Sequence, residues 1–136
     1  MNLEKKELKL NDGATARYEY DRDGDLLEII FRSGEATSAV ELTESIVLRF
    51  DWEASEPLSL SFISFSRLLQ ANAYGEMHFE LLQEEWPDEV RDKIFPMLRQ
   101  APLSDFIKLG GYAPAHTQQI IPLATIRQPY LMPQAA

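Results

Sequence analysis

Asp21, Asp23 and Asp25 place three carboxylates on alternate residues around Gly24, a dense set of hard oxygen donors. Hard divalent cations need several such oxygens at close range. The spacing is not that of an EF-hand loop: counted from Asp21, glycine falls fourth rather than sixth, and no glutamate stands twelfth. Alternate residues of an extended chain splay apart, so a hairpin turn is the simpler reading. A second constellation joins the two imidazoles, His78 and His116, to Glu76 and Glu80. On one strand Glu76, His78 and Glu80 would share a face. That pattern serves zinc or acid–base chemistry, and it equally describes a solvated strand face.

Nucleophilic chemistry has less support. The serines between Ser59 and Ser66 alternate with Leu58, Leu60 and Phe62, as the polar side of a strand would, and no G-x-S-x-G elbow occurs. Gly110-Gly111 lacks phosphate-loop spacing and a following Lys-Ser or Lys-Thr; it reads as a chain reversal. Cysteine is absent, which excludes disulfides and thiolate chemistry and suits a reducing cytoplasm. No residue is assigned a catalytic, cofactor-binding or metal-binding role.

The charge balance bounds the partners. The net charge is −9, with 22 acidic against 13 basic residues, and residues 109–136 carry only Arg127. Such a field repels phosphate backbones, so no nucleic-acid partner is expected; a basic protein partner suits it better. The opening MNLEKKELKL alternates charges with single leucines, unlike the apolar core of a secretory signal, and no apolar run reaches membrane-spanning length. A cytoplasmic protein without membrane contact is therefore expected.

Chemistry needs elements to position it, and period-two patterning supplies them from Ala14 onward. Ala14, Ala16, Tyr18 and Tyr20 fall on one face; after the Asp-Gly turn, Leu27, Ile29 and Phe31 do the same. Asp side chains bond turn amides, and glycine in that turn tolerates positive φ. A strand from Ala36 to Leu42 puts Ser38 and Val40 inside, and Ile46, Leu48, Phe50 and Trp52 form the cleanest alternation. Leu58, Leu60 and Phe62 resume it past Pro57, and Leu3, Leu8 and Leu10 suggest a further strand at the start. Short connections favour an antiparallel meander of four to six strands, whose apolar face must be covered.

Helical periods follow. A short helix is expected over Phe65–Ala73, and another from Pro87 with Val90, Ile94, Met97 and Leu98 as its stripe, interrupted at Pro96. Pro102 should start a third, ended by Gly110-Gly111. Thr117–Ile126 reads either as a strand held to a sheet edge by Pro122 or as an extended wrapping arm. The fold class expected is α+β: one domain over residues 1–136, an antiparallel meander covered by C-terminal helices, with 112–136 as a docking arm.

Tyr20-Asp21, Asp25-Leu26-Leu27-Glu28-Ile29, Glu41-Leu42 and Ser45-Ile46-Val47-Leu48 together resemble the small prokaryotic proteins of domain of unknown function family 2283, over about residues 17–68. The chain departs from that family's pattern at Glu28, where a tyrosine is usual, and at Leu60-Ser61-Phe62-Ile63, where Gly-Ile-Glu-Ile is usual. The resemblance implies a compact antiparallel sheet with a following helix and transfers no catalytic residue. It also implies a binding or antitoxin-like role, since some such proteins look like companions of toxin-like proteins.

Aromatic residues are the remaining candidates for recognition. Trp52 closes an alternating face and reads as internal. Trp86 stands among Glu84, Glu85 and Asp88, and Tyr112 and Tyr130 flank the uncharged C-terminal stretch; these three are the expected interface residues. The functional expectation is a non-enzymatic protein working through protein contacts, self-association included. The alternatives are a metal-dependent or hydrolytic enzyme using His78, His116 and nearby carboxylates, and a purely structural domain.

Overall fold

The computed structural model describes residues 3–68, 70–72, 75–76, 78–112 and 120–126. Six strands, β1 (Leu3–Lys9), β2 (Thr15–Asp21), β3 (Leu26–Ile30), β4 (Ser38–Thr43), β5 (Ile46–Asp51) and β6 (Glu56–Ile63), form one antiparallel sheet in the order β1-β2-β3-β6-β5-β4. It consists of two three-stranded meanders joined where β3 pairs with β6, Ile29 opposite Leu60 and Leu27 opposite Phe62. The link from β3 to β4 therefore runs to the far edge, and β4 and β1 are the two outer strands.

The alternation read from the sequence divides this sheet into its faces. Tyr18, Leu27, Ile29, Leu48, Phe50, Leu60 and Phe62 are buried on one side. Arg17, Glu28, Ser59 and Arg49 lie on the other, because strand side chains alternate with a period of two. The buried face is covered by α1 (Phe65–Leu68), by α2 (Asp88–Leu98) and by a second, smaller sheet. That sheet contains β9 (His78–Glu80), β10 (Ile107–Tyr112) and β11 (Ile121–Ile126) in the order β10-β11-β9, all antiparallel. A separate hairpin pairs β7 (Ala71–Asn72) with β8 (Gly75–Glu76). Phe65 packs edge-on against Tyr20 and Phe62, at 5.8 and 6.2 Å between ring centres, and so closes one end of the core.

Several expectations about the second half are corrected. The Phe65 helix is one turn long and ends at Leu68. α2 runs through Pro96 to Leu98; Pro96 and Asp92 are exposed, so water can satisfy the carbonyl that the missing proline N–H leaves free. After the cis Ala101–Pro102 peptide and a 3₁₀ turn at Leu103–Asp105, Gly110 and Gly111 do not reverse the chain: they sit within β10, opposite Leu123 and Pro122. A side chain on Gly111 would come within 2.6 Å of Ile120, so its bareness makes room for the returning chain.

Pro122 likewise lies in the central strand of its sheet rather than at an edge. Its carbonyl accepts from the Leu81 N–H at 3.0 Å, just past the last residue of β9. The N–H and C=O of one antiparallel residue point to the same side, so the donor that proline lacks would fall at the end of that ladder. Of the expected docking arm, Tyr112, which ends β10 opposite Ile121, and residues 120–126 are described, and Ala124 and Ile126 are core residues.

Candidate functional site

The aspartate turn does not gather its carboxylates. Asp21 accepts from the Asp23 N–H at 3.1 Å, and Gly24 leaves space for it, since a Cβ there would lie 3.0 Å from Asp21 Oδ2. The left-handed residue is Asp25 (φ 51°), not Gly24; a short polar side chain tolerates that region. Asp25 turns inward, accepting from the Tyr20 hydroxyl (2.8 Å), the Ser66 N–H (3.0 Å) and the Ser66 hydroxyl (2.5 Å). Its backbone carbonyl accepts from Phe65 N–H at 3.0 Å. Burial raises its pKa, but these hydrogen bonds outweigh burial and hold it below the ordinary value. Burial first, then the hydrogen bond to Asp25, push Tyr20 up to about 12. The turn is a clasp that fastens α1 to the sheet.

The histidine constellation is also dispersed. Glu76 belongs to the β7–β8 hairpin, whereas His78 and Glu80 belong to β9. His116 and Tyr130 lie outside the described residues. His78 is half-buried with Nδ1 2.8 Å from Thr125 Oγ1, in a cross-strand row with Thr125 and Lys108. Among the described residues no three His, Asp or Glu side chains are placed to share a metal ion. Among the described residues, the buried Tyr18 hydroxyl and Asp105 Oδ2 have no hydrogen-bond partner; Asp105 Oδ1 accepts from Asn11 at 2.9 Å.

A groove of about 460 Å³ lies instead between β4 and the start of α2. Ser38, Val40, Phe50, Trp52, Trp86 and Val90 supply most of its walls, with exposed Glu41 and Glu85 at its rim. Trp86, 5% exposed, donates its indole N–H to the Glu41 carbonyl at 2.9 Å and packs on Phe95 at 5.8 Å. Trp52, expected inside, is only half-buried, lying between Phe50 (6.0 Å) and the Lys93 ammonium (5.0 Å). It ends the strand alternation at the groove mouth, where α2 no longer covers the sheet fully.

The edge of β4 borders this groove. The register shift between Glu41 and Thr43 turns the Leu42 carbonyl outward too, where it accepts from Leu82 N–H at 2.9 Å. The alternation that presents the Glu41 carbonyl to the indole does the same for the N–H and C=O of Ala39. Neither Ala39 group makes a hydrogen bond beyond the sheet among the described residues, and Ala39 itself is exposed. No family model, curated protein or solved structure matches the chain. No helix of the described residues is long and apolar enough to cross a membrane.

Sequence reading named Trp86 but could not see the groove, because strand order decides that β4 is an edge and α2 its neighbour.

Proposed function

We propose that this chain is a cytoplasmic, non-enzymatic recognition module that takes an extended polypeptide segment along the β4 edge. The carrying observation is the difference between the two outer strands. β1 bears Lys5, Lys6 and Lys9, the charged guard that keeps a sheet edge from pairing with other chains. β4, Ser-Ala-Val-Glu-Leu-Thr, has neither lysine nor proline and leaves Ala39 N–H and C=O beside an apolar groove. An added strand would find backbone partners at Ala39 and lodge alternate side chains against Val40, Trp52, Trp86 and Val90. The resemblance over residues 17–68 points the same way, toward a binding or antitoxin-like role, and a second copy of the chain is one admissible occupant.

A photo-activated side chain at position 39, compared with one at position 5, tests the reading in cells. Polypeptide adducts concentrated at 39 support it; equal adducts at both positions, or none at 39, refute it. Ala39→Pro should then abolish capture while the fold survives, since proline removes an outward N–H from an edge strand.

An enzymatic second reading rests on His78 Nδ1 at 2.8 Å from the Thr125 hydroxyl, an imidazole within reach of a nucleophile. Metal-content analysis, followed by zinc titration of wild type and His78→Ala, tests its metal-dependent form; titrations that do not differ remove it.

A further inference from the structure

Three arginines distant in sequence meet on the open face of the main sheet. Arg17, Arg32 and Arg49 line a depression of about 290 Å³ whose other walls include Ile30, Ser33, Gly34 and Ser59, and no carboxylate residue lines it. The register explains the meeting. Arg17 on β2 stands opposite Ile30 on β3, Ile30 opposite Ser59 on β6, and Ser59 opposite Arg49 on β5. Strands spaced about 4.8 Å apart put the two arginine backbones roughly 14 Å apart, with Ile30 and Ser59 as the floor between them.

Their electrostatic situation is unusual for a chain with nine more acids than bases. Arg32 is paired with Glu56 and lies 3.8 Å from Asp51. Arg49 donates to the Ser61 hydroxyl at 2.6 Å and has no carboxylate within ion-pair reach among the described residues. The Arg17 side chain makes neither hydrogen bond nor ion pair among the described residues, although Glu7 is its register neighbour. In the nearby loop, the N–H groups of residues 33–36 make no backbone hydrogen bond among the described residues. Guanidinium forks match oxyanions through paired, charge-assisted hydrogen bonds.

We propose that this depression is a binding site for a compact oxyanion of diphosphate size, free or as the head of a small molecule, bridged by Arg17 and Arg49 over Ser59. The adjoining cross-strand row carries Glu19, Glu28 and Glu41, and these acids with the negative whole-molecule field disfavour a polymeric phosphate. The site lies on the opposite face of the sheet from the β4 groove, so it stands or falls independently of the recognition reading.

Calorimetric titration with inorganic pyrophosphate at low salt tests it, with orthophosphate and a short single-stranded oligonucleotide as parallel arms. Saturable pyrophosphate binding is expected, weakened at least about tenfold by Arg17→Gln and by Arg49→Gln, and unchanged by Arg22→Gln on the far turn. Arg17→Gln breaks no side-chain hydrogen bond or ion pair among the described residues, so it decides the matter even if Arg49→Gln, which frees Ser61, unfolds the sheet. Absence of binding into the millimolar range, binding indifferent to Arg17, or tighter binding of the oligonucleotide overturns the proposal.

Discussion

Replacing Asp25 by asparagine isolates the clasp between the first hairpin and α1. Asparagine tolerates the left-handed backbone at this position (φ 51°), so the substitution changes hydrogen bonding without adding backbone strain. The carboxylate accepts from Tyr20, from Ser66 N–H and from the Ser66 hydroxyl, and an amide presents a donor where one of those donors now points. Hydrogen bonds to a charged group contribute about 1.5–3 kcal/mol each in favourable cases, but these share one half-buried carboxylate. A combined loss of about 2 kcal/mol is therefore expected, roughly 8 °C in Tm for a chain of this length.

The pH dependence supplies the sharper check. Asp25 has a depressed pKa in the folded protein, so its contribution is present above its unfolded pKa and is lost as pH falls through the folded value. Urea unfolding should show wild type more stable than Asp25→Asn at neutral pH, with the gap narrowing as pH falls from the ordinary aspartate range through the lowered folded pKa. A gap that is absent at neutral pH, or that stays constant down to about pH 2, would refute the clasp.

Tyr20 makes the alkaline counterpart. Its folded pKa is raised from 10.0 to about 12, so stability should fall as pH rises across that window, and Tyr20→Phe should lessen the decline in alkaline urea titrations, leaving the part due to buried Tyr18, whose pKa is also raised. Phe62→Ala, at a fully buried position, should cost about 3–5 kcal/mol, whereas its neighbour Ile63, 45% exposed, should tolerate alanine with a small fraction of that loss in the same denaturation assay. Gly110→Ala should be near neutral because a Cβ meets nothing within 4 Å. Gly111→Ala should cost about 1 kcal/mol by forcing Ile120 aside, and equal effects on thermal melting would contradict their placement in β10.

Much of the fold was legible because strand side chains alternate. Tyr18, Leu27, Ile29, Leu48, Leu60 and Phe62 were assignable to one buried face before any pairing was known, and Ile94, Met97 and Leu98 to the covering side of a helix. Local chemistry misled where tertiary contacts decided. Gly110-Gly111 looked like a break, yet antiparallel pairing with Leu123 and Pro122 stabilises them as a strand and makes the missing side chain of Gly111 useful. Gly24 looked like the left-handed residue, yet the inward pull of Tyr20 and Ser66 gives that conformation to Asp25.

The candidate sites follow the same division. From sequence alone come an acidic, cysteine-free α+β chain, its hairpin, its apolar face and the aromatic character of Trp52 and Trp86. Tertiary structure alone decided that β3 pairs with β6, that β4 is an outer strand beside α2, and that Arg17, Arg32 and Arg49 line one depression. A two-residue period tells each side chain which face it occupies. Which strand lies beside it depends on contacts between distant segments, and those contacts exist only once the chain has closed on itself.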